Sequence, residues 1–231
     1  MKKIIYTLGI FIILTSSLFS SEGFNILKKS FNYTKGFTKY SLHVLTEEKE
    51  IQEDGKIFTF KYISEIKIDR PSKLLIETKS DTLERKIYLN KGKYKIFDKG
   101  NDFYEELNTP INIDDALDKI FNHYDIKEPL AALIYSDMLK RLKFDKVKFL
   151  GTKKIKNKVC NKLYLKNKDM EIYLLISKSK KPLILRYATK DLKTNKETAV
   201  DISWDFSKKI EDSDFIFPER DSLRRIDLNQ K

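Results

Sequence analysis

The stretch Lys56-Ile57-Phe58-Thr59-Phe60-Lys61-Tyr62-Ile63-Ser64-Glu65-Ile66-Lys67-Ile68-Asp69 decides the fold class. One parity carries Phe58, Phe60, Tyr62, Ile66 and Ile68; the other carries Thr59, Lys61, Glu65, Lys67 and Asp69, with Ile57 and Ile63 as exceptions. Successive side chains of a strand point to opposite faces, so this period of two predicts a long strand with one buried and one wet face. Residues Thr38 to Ile51 read as its hairpin partner across the turn Glu53-Asp54-Gly55.

Downstream, Arg70-Pro71 breaks the pattern. Short strands follow near Lys73–Thr78, Arg85–Asn90, Tyr94–Asp98 and Phe103–Leu107, separated by Lys79-Ser80-Asp81, Asn90-Lys91-Gly92 and Lys99-Gly100-Asn101-Asp102. This is a meander. The middle of the chain is helical. Ile113, Leu117, Ile120, Phe121 and Tyr124 share one helical face, and Asn112, Asp114 and Asp115 suit a helix start. Pro129 opens a second helical piece, Leu130 to Leu142, apolar enough around its start to be buried. The last third returns to strands at Lys146–Ile155, Val159–Lys166, Met170–Ser177, Leu183–Thr189 and Glu197–Phe206, closed by the apolar tail Phe215-Ile216-Phe217-Pro218. The expected class is α+β: an open antiparallel half-barrel of about ten or eleven strands wrapped around plug helices.

Upstream, Phe24, Leu27 and Phe31 fall at helical spacing, and Gly36 ends that helix. Before it, Met1-Lys2-Lys3 precedes an uncharged run, Ile4 to Leu14, and a small-residue exit, Thr15-Ser16-Ser17-Leu18-Phe19-Ser20-Ser21. That is the tripartite secretory signal. The run is short of the roughly 20 apolar residues of a membrane span, so cleavage after Ser20 is expected rather than an uncleaved anchor. No Cys near the exit offers a lipidation site. The expectation is therefore a signal at 1–20 and one non-lipidated periplasmic domain at 21–231.

Removing Lys2 and Lys3 from the formal charge of +12 leaves +10. This excess does not read as a nucleic-acid footprint: the chain is exported, its cations are interleaved with Glu and Asp, and Lys outnumbers Arg. Peripheral contact with an anionic membrane surface fits it better. Cys160 is the single cysteine, so no intramolecular disulfide forms, and it is expected as a small apolar residue in a strand.

The sequence offers little chemistry. His43 and His123 stand in different elements without metal-ligand spacing, and HExxH, CxxC, GxSxG and Gly-rich phosphate loops are missing. The Asp114, Asp115 and Asp118 cluster reads as a helix-dipole complement rather than an acid/base pair. No enzyme activity, cofactor or metal is expected. The aromatics stand out instead. Phe58, Phe60, Tyr62, Trp204 and Phe206 share strand parity toward the concave side, where they either pack as core or line a ligand cavity. The candidate lining is these five with Ile66 and, from the second helical piece, Leu130, Leu133 and Ile134.

Five stretches carry a family resemblance. They are Arg70-Pro71-Ser72-Lys73-Leu74; Tyr94-Lys95-Ile96-Phe97-Asp98 through Tyr104; and Ile126-Lys127-Glu128-Pro129-Leu130-Ala131-Ala132-Leu133-Ile134-Tyr135-Ser136-Asp137. The others are Val159-Cys160-Asn161-Lys162-Leu163 with Glu171-Ile172-Tyr173-Leu174 and Lys181-Pro182-Leu183-Ile184-Leu185, and Phe215-Ile216-Phe217-Pro218. Together they resemble the periplasmic family known as domain of unknown function 2092, over most of the chain beyond the signal. The resemblance implies a fold similar to the LolA and LolB lipoprotein carriers, an open barrel with helices in its mouth. Asn161-Lys162 stands where the family usually has a histidine-containing pair, which removes any metal suggestion there.

The function expected is non-catalytic binding or carriage of a hydrophobic ligand: a lipid, an acyl chain or a lipoprotein. The alternative is an envelope protein-interaction or sensing module that uses the same fold without a lipid.

Overall fold

The decisive stretch pairs along its whole length. β2 (Ile57–Asp69) runs antiparallel to β1 (Lys39–Ile51), with Lys39 opposite Asp69 and Ile51 opposite Ile57. The computed structural model describes residues 22–51, 55–124, 134–141, 143–220 and 222–226. The expected export signal, Glu53-Asp54 and Leu130 to Leu133 lie outside them.

Before β1 comes helix α1, residues 22–35. After β2 come β3 (Lys73–Lys79), β4 (Glu84–Asn90), β5 (Lys93–Asp98) and β6 (Phe103–Asn108), then α2 (Ile113–Tyr124) and α3 (Met138–Arg141). The chain continues through β7 (Lys146–Ile155), β8 (Lys158–Lys166), β9 (Met170–Ser177), β10 (Ile184–Asp191), β11 (Glu197–Asp205) and β12 (Arg224–Arg225). The twelve strands follow the order β12-β6-β5-β4-β3-β2-β1-β11-β10-β9-β8-β7 in an open sheet. Pairs from β6 to β1 and from β10 to β7 are antiparallel.

β12 is the strand that the sequence does not announce. It is two residues long, too short to show alternation, and joins β6 in parallel. Arg224 N–H donates to Asp102 O and Ile226 N–H to Tyr104 O, which covers part of an otherwise open edge. The second helical piece also differs. Among the described residues of that piece, Ile134 to Asp137 are turn and coil and Met138–Arg141 is helical. Side-chain bonds to Tyr135 and Ser136, described below, compete with helical pairing there.

The chain forms two compact units. One holds the described residues up to Lys35 and Leu139–Ala199; the other holds those of Gly36–Met138 and Val200–Lys231. In the first, α1 lies against β7. A Cβ on Gly23 would stand 2.9 Å from Phe149 N and 3.0 Å from the Lys148 carbonyl carbon. The absent side chain lets the helix backbone reach the strand. The buried face of α1 is therefore Gly23, Leu27 and Ser30, and Phe24 turns outward, 49% exposed. Leu163 and Leu165 of β8 and Leu174 and Ile176 of β9 are buried on the face where Val147 meets α1, and Cys160 and Leu175, also buried, have the opposite parity. Burial pushes the Cys160 thiol pKa up, so it behaves as a small apolar group.

In the second unit the sheet is covered on both faces. Leu74 and Leu75 are both buried although they point opposite ways. Leu75 and Tyr88 pack against Ile210 and Phe215 from the tail. Phe217 continues this cover, its ring 5.5 Å from Tyr88, 5.9 Å from Phe97 and 5.1 Å from Tyr104. Ion pairs fix the tail: Lys67 to Asp214 at 2.5 Å and Lys73 to Asp212 at 2.6 Å. Lysines on the wet parity of the sheet thus become anchors.

Phe215 is 1% exposed, so Phe215→Ala should cost about 3–5 kcal/mol in urea unfolding. Gly23→Ala should cost about 1–3 kcal/mol by overpacking in the other unit. The hydrogen bond from Lys73 holds the Asp212 carboxyl below the usual aspartate range. A depressed carboxylate contributes stability above its unfolded pKa and loses it as pH falls through the folded one. Acid should therefore loosen the tail, seen as earlier proteolysis after Lys208 and Lys209, and Asp212→Asn should reduce that pH dependence, the remainder belonging to Asp214, whose carboxyl is also held low beside Lys67.

Candidate functional site

Register arranges the inner face of the second unit into rows. The deepest runs Tyr40, Ile68, Leu74, Leu89, Tyr94, Leu107 across β1 to β6. The next runs Leu42, Ile66, Ile76, Ile87, Ile96, Glu105. The third runs Val44, Ser64, Thr78, Arg85, Asp98, Phe103. Beyond these, β1 and β2 alone extend the face with Thr46 opposite Tyr62, Glu48 opposite Phe60 and Glu50 opposite Phe58. Two largely apolar rows thus give way to a polar one.

Helix α2 covers the apolar rows. Its start is set by sequence: Asn112 Oδ1 accepts from Asp115 N–H at 3.1 Å, and Ile113 N–H donates to Pro71 O at 2.8 Å. Its buried face carries Ile113, Ala116, Leu117 and Ile120. A clamp holds the segment after it. Arg70 donates to Asp114 Oδ1 at 3.0 Å and to Ile134 O. Asp114 also accepts from Ser136 N–H at 3.2 Å and from the Ser136 hydroxyl. Tyr135 donates to Asp118 at 2.8 Å. The acidic cluster at the helix start is therefore an anchor for residues 134–136 as well as a complement to the helix dipole.

Between the rows and α2 lies a cavity of about 350 Å³. Ile76, Ile87 and Ile96 line it from the sheet, and Leu117, Ile120, Phe121 and Ile134 from the helical side. Thr46, Glu48, Ser64, Thr78 and Arg85 line its polar end. At its closed end Tyr94 is buried, and burial pushes its hydroxyl well above the ordinary tyrosine pKa, so it is neutral. The volume lies at the lower end of the roughly 300–1,000 Å³ of small-molecule pockets.

The structure distributes the residues singled out in the sequence. Tyr62 and Ile134 line the cavity. Ile66 is fully buried one strand away from Ile76. Phe58 and Phe60 stand on the cavity's side of β2 but beyond its end, 42% and 40% exposed. Trp204 and Phe206 belong to a ring cluster, Trp204 stacked on Tyr40 at 5.6 Å and Phe206 4.5 Å from Phe37. Leu130 and Leu133 lie outside the described residues. The sequence reading missed Thr78, Arg85, Ile87 and Ile96. Glu84-Arg85-Lys86-Ile87-Tyr88-Leu89 has apolar side chains at consecutive positions, and only the parity of Arg85, Ile87 and Leu89 taken with the β3 register identifies the inner set. Among the described residues no group of three or more His, Cys, Asp or Glu gathers as a metal site. His43 contacts Glu65 at 2.5 Å on the opposite face of β1. No helix among the described residues is long and apolar enough to cross a membrane.

The Arg70 and Asp114 side chains are 13% and 12% exposed, and removing one partner of such a pair strands the other. Asp114→Ala should therefore cost about 3–5 kcal/mol in denaturant unfolding and raise hydrogen exchange at residues 134–136.

Among solved structures, the chain is similar to an uncharacterized conserved protein from Thermus thermophilus, with a TM-score of 0.54 at 10% identity over 87% of this chain and 98% of that one. This is a likeness of fold. LprF from Mycobacterium bovis is also similar, with a TM-score of 0.49 at 13% identity over 83% of this chain and 97% of that one. So is a LolA superfamily protein from Nitrosomonas europaea, with a TM-score of 0.40 at 12% identity over 84% of this chain and 96% of that one. No curated protein matches the sequence. The family resemblance carried by the five stretches holds along nearly the whole described chain: with residues 24–229 matching its model, this chain belongs to the family described as "Predicted periplasmic protein (DUF2092)".

Proposed function

We propose that this is a non-catalytic, exported protein whose Gly36–Met138 unit holds the acyl chain of a lipid or lipoprotein. The observation that carries the reading is the cavity: two apolar rows of a sheet on one side, an amphipathic helix on the other, and space between them. Apolar ligand area buried there contributes about 25 cal/mol per Å². Residues 1–20 serve as the cleaved signal, and residues 21–231 work as one periplasmic domain. Tyr62 and Ile134 contact the chain, Leu130 and Leu133 belong to the same lining, and Phe58 and Phe60 guide entry.

A second reading, a protein-interaction module, draws on the outer end of the β1–β2 hairpin. Leu45, Ile51, Ile57 and Ile63 are exposed there, a surface that a partner protein would cover. Recovery of one stable protein partner and no lipid would favour it.

Ile87→Trp fills the cavity from β4. Binding of a fluorescent fatty acid by the wild type should be lost in this variant and kept in Val159→Trp, which alters an exposed position of the other unit. Equal binding by both variants, or none by the wild type, would contradict the reading.

A further inference from the structure

The cavity is apolar at one end and polar at the other, and its polar end carries one cation. Arg85 lines it from β4. Among the described residues its guanidinium has no hydrogen-bond or ion-pair partner. Its register neighbour on β5, Asp98, makes no ion pair with it; Asp98 Oδ1 accepts instead from Asn101 N–H at 3.2 Å and from Asn101 Nδ2 at 3.1 Å. On the other side stand Thr78 and Ser64, whose hydroxyls are 2.9 Å apart. Such a pair uses one hydroxyl proton internally and leaves the other to donate.

We propose that the ligand of this cavity is a single-chain amphiphile with an anionic head, a carboxylate or a phosphate monoester, bound head-to-Arg85 and tail toward Leu89 and Tyr94. This rests on the acyl-binding reading and adds the chemistry of the head. A guanidinium presents a planar fork that matches either oxyanion. The Thr78–Ser64 pair supplies a further donor in the same row. The middle row, Ile76, Ile87 and Ile96, receives the first methylenes, and α2 covers the tail with Leu117 and Ile120. Besides Asp98, three carboxylates face the same side of the sheet: Glu48 and Glu50 on β1 and Glu105 on β6. β1 is three strand spacings from Arg85, about 14 Å, and Glu105 on β6 is two spacings away, about 10 Å. None of the three is close enough to pair with Arg85. They repel an anion from the flanks and leave the Arg85 position as the place for the head.

The test is calorimetric titration of the protein with dodecanoate, dodecyl phosphate and dodecanol, each below its aggregation limit. A charge-assisted contact present in the anions and missing in the alcohol should make at least one anion bind about tenfold tighter than dodecanol. The preferred anion identifies the source of the head. Arg85→Gln should bring the anions down to the alcohol, and Arg85→Lys should keep part of the preference. The comparison on the wild type needs no variant, so a folding defect in Arg85→Gln does not blunt it. Equal affinity for all three overturns the head assignment and leaves the acyl cavity standing. Binding of none of the three overturns both.

Discussion

The pairing of β1 with β2 sets every later feature of the second unit. A strand has a side-chain period of two, so a slip of one residue would exchange the faces of the whole sheet. The register that places Leu42 opposite Ile66 also places Val44 opposite Ser64 and Thr46 opposite Tyr62. From there β3, β4 and β5 inherit their inner sets by pairing, which puts Ile76, Ile87 and Ile96 in one row and Thr78, Arg85 and Asp98 in the next. The cavity is a consequence of that inheritance. Its apolar and polar ends are successive rows of one register, not separate devices.

Two covers hold the register in place, and they use different physics. On the inner face the cover is apolar, with α2 facing Leu74, Leu89 and Tyr94 around the cavity and tied at its start to Arg70-Pro71. On the outer face the cover is the tail, with Phe215 and Phe217 set between lysines that pair with Asp212, Asp214 and Glu219. Lys95 illustrates the arrangement: its ammonium lies 4.6 Å above the Phe217 ring and 3.2 Å from Glu106. Part of the Lys-rich character of the chain is therefore structural, because lysine stems lie over apolar surface while their heads pair with acids.

Strand positions and the inner parity of β2 were legible in the sequence, because alternation over a long strand has one physical reading. The helix at Ile113–Tyr124 was legible for the same reason at a different period. What stayed hidden needed partners distant in sequence. Phe58 and Phe60 have the right parity, yet both are exposed, and parity does not report where a cover ends. Trp204 and Phe206 meet Tyr40 and Phe37, a ring cluster that alternation along β11 does not announce. Arg85 looked like one of many surface cations until the β3–β4 register placed it beside Thr78 on the inner face. Gly23 determines the buried face of α1 by what it lacks, which a search for apolar stripes passes over.

The central claim is that the space beneath α2 accepts an acyl chain. Photolabelling with a fatty acid carrying a diazirine near its methyl end tests it most directly, with labelled peptides located by mass spectrometry. The account predicts saturable labelling of the peptides containing Ile87 to Tyr94 and Leu117 to Phe121, competed by unlabelled fatty acid. Labelling confined to the exposed Ile57–Phe60 stretch, or insensitive to competitor, would contradict it.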